Sequence, residues 1–91
     1  EVTASRREIL EDSAQIILET AEERLVTSGI TDVDCSFVFG DPADEIAKYA
    51  EGKAVDLIVI GHRGLSPAGG LLGSVTRKLL SMTEISCLIV T

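Results

Sequence analysis

The chain has 91 residues, enough for a single hydrophobic core, and its 45% apolar but only 3% aromatic content means that core must be aliphatic. A net charge of −7 argues against nonspecific nucleic-acid binding, which depends on clustered Lys and Arg. No apolar run approaches the ~18 residues of a membrane span and no signal-peptide pattern is present, so a soluble, cytoplasmic protein is expected.

Charge and cysteine placement refine this. Residues 1–60 hold five basic and fourteen acidic side chains, a balance of −9, whereas residues 61–91 hold Arg63, Arg77 and Lys78 against Glu84, a balance of +2. A basic final third on an acidic chain suits a small anionic ligand, although ordinary solvated charges explain it equally well. Cys35 and Cys87 are far apart and each lies in an apolar stretch. They are expected to be reduced core thiols, as in a cytosolic protein, with a disulfide as the alternative.

The first element is expected to be an amphipathic helix from Ser5 to about Ser28. Ser5-Arg6-Arg7-Glu8 has the form of a capping box, and Leu10, Ala14, Ile17, Leu18, Ala21 and Leu25 recur at helical spacing. Gly29 supplies a left-handed terminator. Val33, Cys35, Phe37 and Phe39 then alternate with Asp34, Ser36 and Val38, which predicts a strand near a sheet edge, ended by Gly40. A short second helix follows, capped by Asp41, with Pro42 at its first position and Asp44 and Glu45 in its first turn, and it finishes near Gly52.

Val55 to Ile60 contains the unbroken run Leu57-Ile58-Val59-Ile60, typical of a parallel strand covered on both faces. A third helix is expected from Gly73 or Ser74 to about Leu80, with Arg77 and Lys78 late enough to favour its C-terminal dipole. Cys87-Leu88-Ile89-Val90 reads as the final strand. The order α-β-α-β-α-β implies a three-layer α/β domain with a parallel sheet.

The segment from Gly61 to Val75 carries the chemistry. It follows the most apolar strand and leads into a helix, the place where open α/β sheets bind ligands. Gly61 and Gly64 allow the backbone to approach a ligand, and Gly73 and Ser74 stand at a helix N-terminus that favours an anion. The spacing is not GxGxxG, the Gly-Lys-Ser/Thr of a Walker A loop is missing, and Gly64-Leu65-Ser66 lacks the second glycine of a nucleophile elbow.

The remaining pattern is Gly-x2-Gly-x8-Gly-Ser after Asp56-Leu57-Ile58-Val59-Ile60. Together with Gly40-Asp41-Pro42-Ala43, the run Val75-Thr76-Arg77-Lys78-Leu79-Leu80 and the closing Cys87-Leu88-Ile89-Val90, it resembles the universal stress protein family over nearly the whole chain.

That resemblance implies a Rossmann-like fold of the adenine nucleotide α-hydrolase type, with five strands ordered 3-2-1-4-5. The strands present here would be the third to fifth, so residues 1–91 would form a partial domain. Its first two strands would come from a further N-terminal segment, another chain or a swapped partner. The chain also opens on Glu1 rather than Met.

The resemblance also assigns ATP, or AMP or ADP, with Mg2+ or Mn2+ held through the phosphates. Phosphate and ribose contacts fall on Gly61, Gly64, Gly73 and Ser74, and Val75 would add a backbone N–H. His62 and Arg63, beside the glycines, would either face the phosphates or be plain loop residues. Family members that bind nucleotide usually have nine residues between the second and third glycines, where this chain has eight.

Other residues have simpler roles. Ser66 reads as a turn residue rather than a phosphoacceptor, Asp56 as a strand start, Tyr49 and Met82 as packing residues. No metal cluster and no catalytic residue set is apparent.

Three functions follow from this reading. The first is a dimeric, nucleotide-binding stress regulator, paired through the strand Cys87–Val90 and at most slow in hydrolysis. The second is an interaction module of the same fold without nucleotide. The third is a weak nucleotide hydrolase. Neither nucleic acid nor a membrane is an expected partner.

Overall fold

The computed structural model describes residues 5–62 and 72–91. The chain divides into two compact units, Glu1–Val38 and Phe39–Thr91.

The first unit holds helix α1, Arg6–Thr27. Ser5 caps it, its Oγ accepting the Glu8 N–H at 3.1 Å, which satisfies one of the N–H groups a helix start leaves over. At the other end Gly29, with φ +88°, completes a left-handed stop: its N–H bonds the Val26 carbonyl at 3.0 Å and the Ile30 N–H bonds Leu25 at 2.8 Å. Both predicted ends therefore form. The apolar stripe behaves otherwise, because no α1 residue is fully buried. Ala14, Leu18 and Leu25 are half-buried, whereas Leu10 and Ile17 are exposed.

The second unit holds α2 (Pro42–Gly52), β1 (Leu57–Gly61), α3 (Ser74–Met82) and β2 (Ser86–Val90). Strands β1 and β2 pair in parallel, Leu57 opposite Ser86 through Gly61 opposite Val90, with α3 as the crossover. This is a βαβ unit, the elementary block of the expected α/β fold.

Asp41 caps α2 through the Asp44 N–H at 3.2 Å, and Pro42 sits in the first turn. Ala43, Ala47 and Ala50, spaced to share one face, are all buried. Their small side chains admit Leu79 of α3, which is 0% exposed, and Ile58 of β1. Fully burying a leucine contributes about 1.5–3 kcal/mol, so Leu79 is a principal anchor of this small core. Ile60, Val75 and Cys87 complete the packing.

Two expectations are corrected. Residues 33–39 form no strand; the sheet among the described residues is the pair β1-β2 alone. Alternation specifies two faces, but a strand also needs a hydrogen-bonded neighbour, and β1 and β2 take each other. The observed order is thus α-α-β-α-β.

Among the described residues, only one face of the sheet is covered. Ile58, Ile60, Cys87 and Ile89 are buried or half-buried, while Leu57, Val59, Leu88 and Val90 are exposed. The helices that follow and precede β1 both pack with its even-numbered side chains. Apolar content alone does not reveal that asymmetry.

Among the described residues no helix is long and apolar enough to cross a membrane. Cys35 and Cys87 are free thiols, each half-buried rather than deep in a core.

Candidate functional site

Gly61 is the last residue of β1, opposite Val90 in the register. His62 follows it, half-buried, and donates its N–H to the Val90 carbonyl at 3.1 Å. The His62 carbonyl in turn accepts the N–H of Gly73. The carboxyl end of β1 and the start of α3 are thereby joined directly, although residues 63–71 intervene in sequence.

Gly73 is the N-cap of α3, with φ −63° and ψ 156°, and it provides no side-chain cap. Its carbonyl accepts the Arg77 N–H at 3.0 Å. Helix geometry leaves the first N–H groups, those of Ser74 and Val75 included, without intrahelical acceptors. They mark the positive end of the helix dipole, worth about 0.3–1 kcal/mol to a nearby anion when exposed. Ser74 is exposed, and Val75 is half-buried against the core. The Arg77 guanidinium lies 3.5 Å from the Leu72 carbonyl, which places one cation beside the same helix start.

The structure therefore brings Gly61, His62, Gly73, Ser74 and Val75 together. Arg63 and Gly64, the other two predicted contacts, lie outside the described residues, as does Ser66.

Gly61 has a specific property. A Cβ built there meets nothing within 4 Å among the described residues, and its φ is not in the left-handed region. Neither backbone conformation nor a described neighbour requires glycine at this position. Gly40 is the opposite case: its φ is +146°, and a Cβ there would stand 2.7 Å from Glu45 Oε1.

Two residues near the site were misread or missed. Lys78 does not serve the C-terminus of α3, whose last turn carries no basic residue. Its ammonium is 2.9 Å from Asp41 Oδ2 and 3.5 Å from Asp44 Oδ1. Asp41 and Asp44 thus do more than favour their own helix start.

Thr76 was not singled out at all. It is 3% exposed, and its hydroxyl donates to the Gly61 carbonyl at 2.7 Å. The available signal was its spacing, since i and i+3 place Thr76 on the face of Leu79.

Elsewhere, Tyr49 and Met82 are exposed rather than packed, and the Lys53 ammonium lies 5.8 Å from the Tyr49 ring centroid, within cation–π range. A shallow depression on α1 is lined by Glu19, Glu22, Glu23, Val26 and Thr27. Its three carboxylates would repel a phosphate. Among the described residues, no group of three or more His, Cys, Asp or Glu side chains converges as a metal site would require.

A family model described as the Universal stress protein family matches residues 1–91. The chain belongs to the universal stress protein family. Universal stress protein YxiE of Bacillus subtilis is 36% identical over 86 residues, covering 93% of this chain and 57% of the relative. Universal stress protein Rv1636 of Mycobacterium tuberculosis is 37% identical over 75 residues, covering 81% and 51%. A universal stress protein of Thermus aquaticus is 35% identical over 85 residues, covering 88% and 62%. The chain thus spans little more than half the length of these universal stress protein relatives. No solved structure gives a significant match.

Family membership implies the α/β Rossmann-like class, and the parallel β1-α3-β2 unit accords with it. The names of its relatives connect the chain with the stress response.

Proposed function

We propose that this universal stress protein binds the phosphates of ATP or AMP between the carboxyl end of β1 and the first turn of α3. The observation that carries the reading is the direct link from the His62 carbonyl to the Gly73 N–H. It sets Gly61, where a Cβ would meet nothing among the described residues, beside a helix start without a side-chain cap. Backbone N–H groups from Ser74 and Val75, the Ser74 hydroxyl and the dipole of α3 then converge on one anion. Arg63 and Gly64 complete the contact from the intervening segment, with Mg2+ or Mn2+ carried by the phosphates.

The base is contacted by protein beyond this site, in the part of the family's length that these residues do not span. Binding serves sensing in the stress response, with hydrolysis at most slow. The cytoplasm, where nucleotide is abundant and thiols stay reduced, is the setting that fits the free cysteines.

The test is a melting-temperature shift with Mg-ATP. Wild-type protein is expected to rise in Tm and Gly73→Val to lose the rise. No shift for wild type, or an equal shift for the variant, rejects the site.

A second reading concerns self-association. β2 pairs with β1 along one edge, and among the described residues its other edge carries no strand. Ser86–Val90 therefore offers backbone groups to a second copy, with Leu88 and Val90 exposed beside them. A homodimer through this strand is the expected form. Light scattering that finds only monomer at micromolar concentration would reject it.

A further inference from the structure

We propose that Thr76 is a positioning residue for the phosphate site, fixing the first turn of α3 against the end of β1 and so setting nucleotide affinity. The inference rests on the nucleotide-binding reading above and assigns a determinant outside the residues that touch the ligand.

The trans peptide between Gly61 and His62 places the Gly61 carbonyl and the His62 N–H on opposite sides. The N–H is directed to Val90 of β2, so the carbonyl points away from that strand and cannot be satisfied by it. The Thr76 hydroxyl supplies the donor, at 2.7 Å. A threonine in a helix ordinarily returns its hydroxyl to the carbonyl four residues earlier, as Thr20 does to Ile16 at 2.9 Å. Thr76 stands in the first turn of α3, where the carbonyl four residues earlier, that of Leu72, lies before the N-cap Gly73, and its hydroxyl bonds across the fold instead.

The consequence is a two-point attachment. Gly61 to Thr76 and His62 to Gly73 both bridge strand end and helix start. With Leu79 anchoring α3 in the core, the two bonds fix its first turn, and so the Ser74 and Val75 N–H groups, relative to Gly61. Preorganised donors bind an anion without the cost of ordering them first. Thr76 is itself buried, so its hydroxyl is held between α3 and the end of β1 rather than turned to solvent.

The experiment compares Thr76→Val, which keeps shape but removes the donor, with Thr76→Ser, which keeps the donor. Ile58→Val serves as a core variant that trims packing without touching either bond. Mg-ATP affinity is measured by calorimetry, and amide exchange at Gly73 is followed without nucleotide. Thr76→Val is expected to weaken binding about tenfold, the scale of one lost hydrogen bond, and to speed Gly73 exchange. Thr76→Ser and Ile58→Val are expected to bind within about twofold of wild type, less than the ~1.4 kcal/mol of a tenfold change. Equal affinity for Thr76→Val and wild type overturns the inference, as does an equal loss in Ile58→Val. Absence of ATP binding by wild type would instead remove the nucleotide reading itself.

Discussion

The Lys78 ammonium stands 2.9 Å from Asp41 Oδ2, joining the middle of α3 to the N-cap of α2. The same oxygen accepts the Asp44 N–H, so one carboxylate both caps a helix and holds its neighbour. The hydrogen bond from Lys78, then that from the Asp44 backbone, lowers the Asp41 carboxyl below its ordinary 3.8. The bond to Asp41 raises Lys78 above its ordinary 10.5.

A depressed acid contributes stability above its unfolded pKa and loses it as pH falls through the folded value; a raised base contributes below its unfolded pKa and loses it as pH rises through the folded value. The pair therefore stabilises the second unit from above about pH 4 to about pH 10 and fades outside that window. Both side chains are about half exposed, so salt screens the interaction. Lys78→Met is expected to lower Tm modestly at low ionic strength. The difference from wild type should nearly vanish in about 1 M salt, where the screening length is roughly 3 Å. Thermal melts at two salt concentrations and across acid pH check this.

Helices α1 and α2 end in the same way but with different residues. Beyond α2, the Ala54 N–H bonds Glu51 at 3.1 Å and the Val55 N–H bonds Ala50 at 3.1 Å, matching the pattern at Gly29 and Ile30. Ala54, however, adopts φ +51°, a region that costs a residue with a Cβ about 1–2 kcal/mol. Ala54→Gly is expected to raise stability by about 0.5–1 kcal/mol after the added unfolded-state entropy of glycine. Urea unfolding measures the change, and an unchanged or lower midpoint would contradict it.

Gly40 precedes the cap of α2, and there the prediction has the opposite sign. Its φ of +146° and the closeness of Glu45 both exclude a side chain. Gly40→Ala is expected to cost about 1–3 kcal/mol. Adding Glu45→Ala should recover only part of that loss, because the contact is relieved while the backbone strain persists. A double-mutant cycle separates the two contributions.

Local chemistry was legible where a residue acts on its own backbone. Ser5, Asp41 and Gly29 were readable as helix ends because a cap needs only a hydroxyl, a carboxylate or a missing Cβ at one position. What depends on a distant partner was not readable. Residues 33–39 alternate as a strand does, yet no pattern within them specifies a neighbour. Lys78 looked like a dipole residue because Asp41 lies far away in sequence. Thr76 looked like any helical threonine until the Gly61 carbonyl appeared beside it. The exposed face of Leu57, Val59, Leu88 and Val90 is also a tertiary fact, set by which side of the sheet α2 and α3 occupy.

The central claim is that phosphates bind where β1 ends and α3 begins. Backbone amide shifts followed during titration with Mg-ATP test it most directly. Saturable shifts are expected at Gly61, His62, Gly73, Ser74 and Val75, with Gly61→Ala weakening binding while leaving stability nearly unchanged. Shifts confined to other residues, or none that saturate, would contradict it.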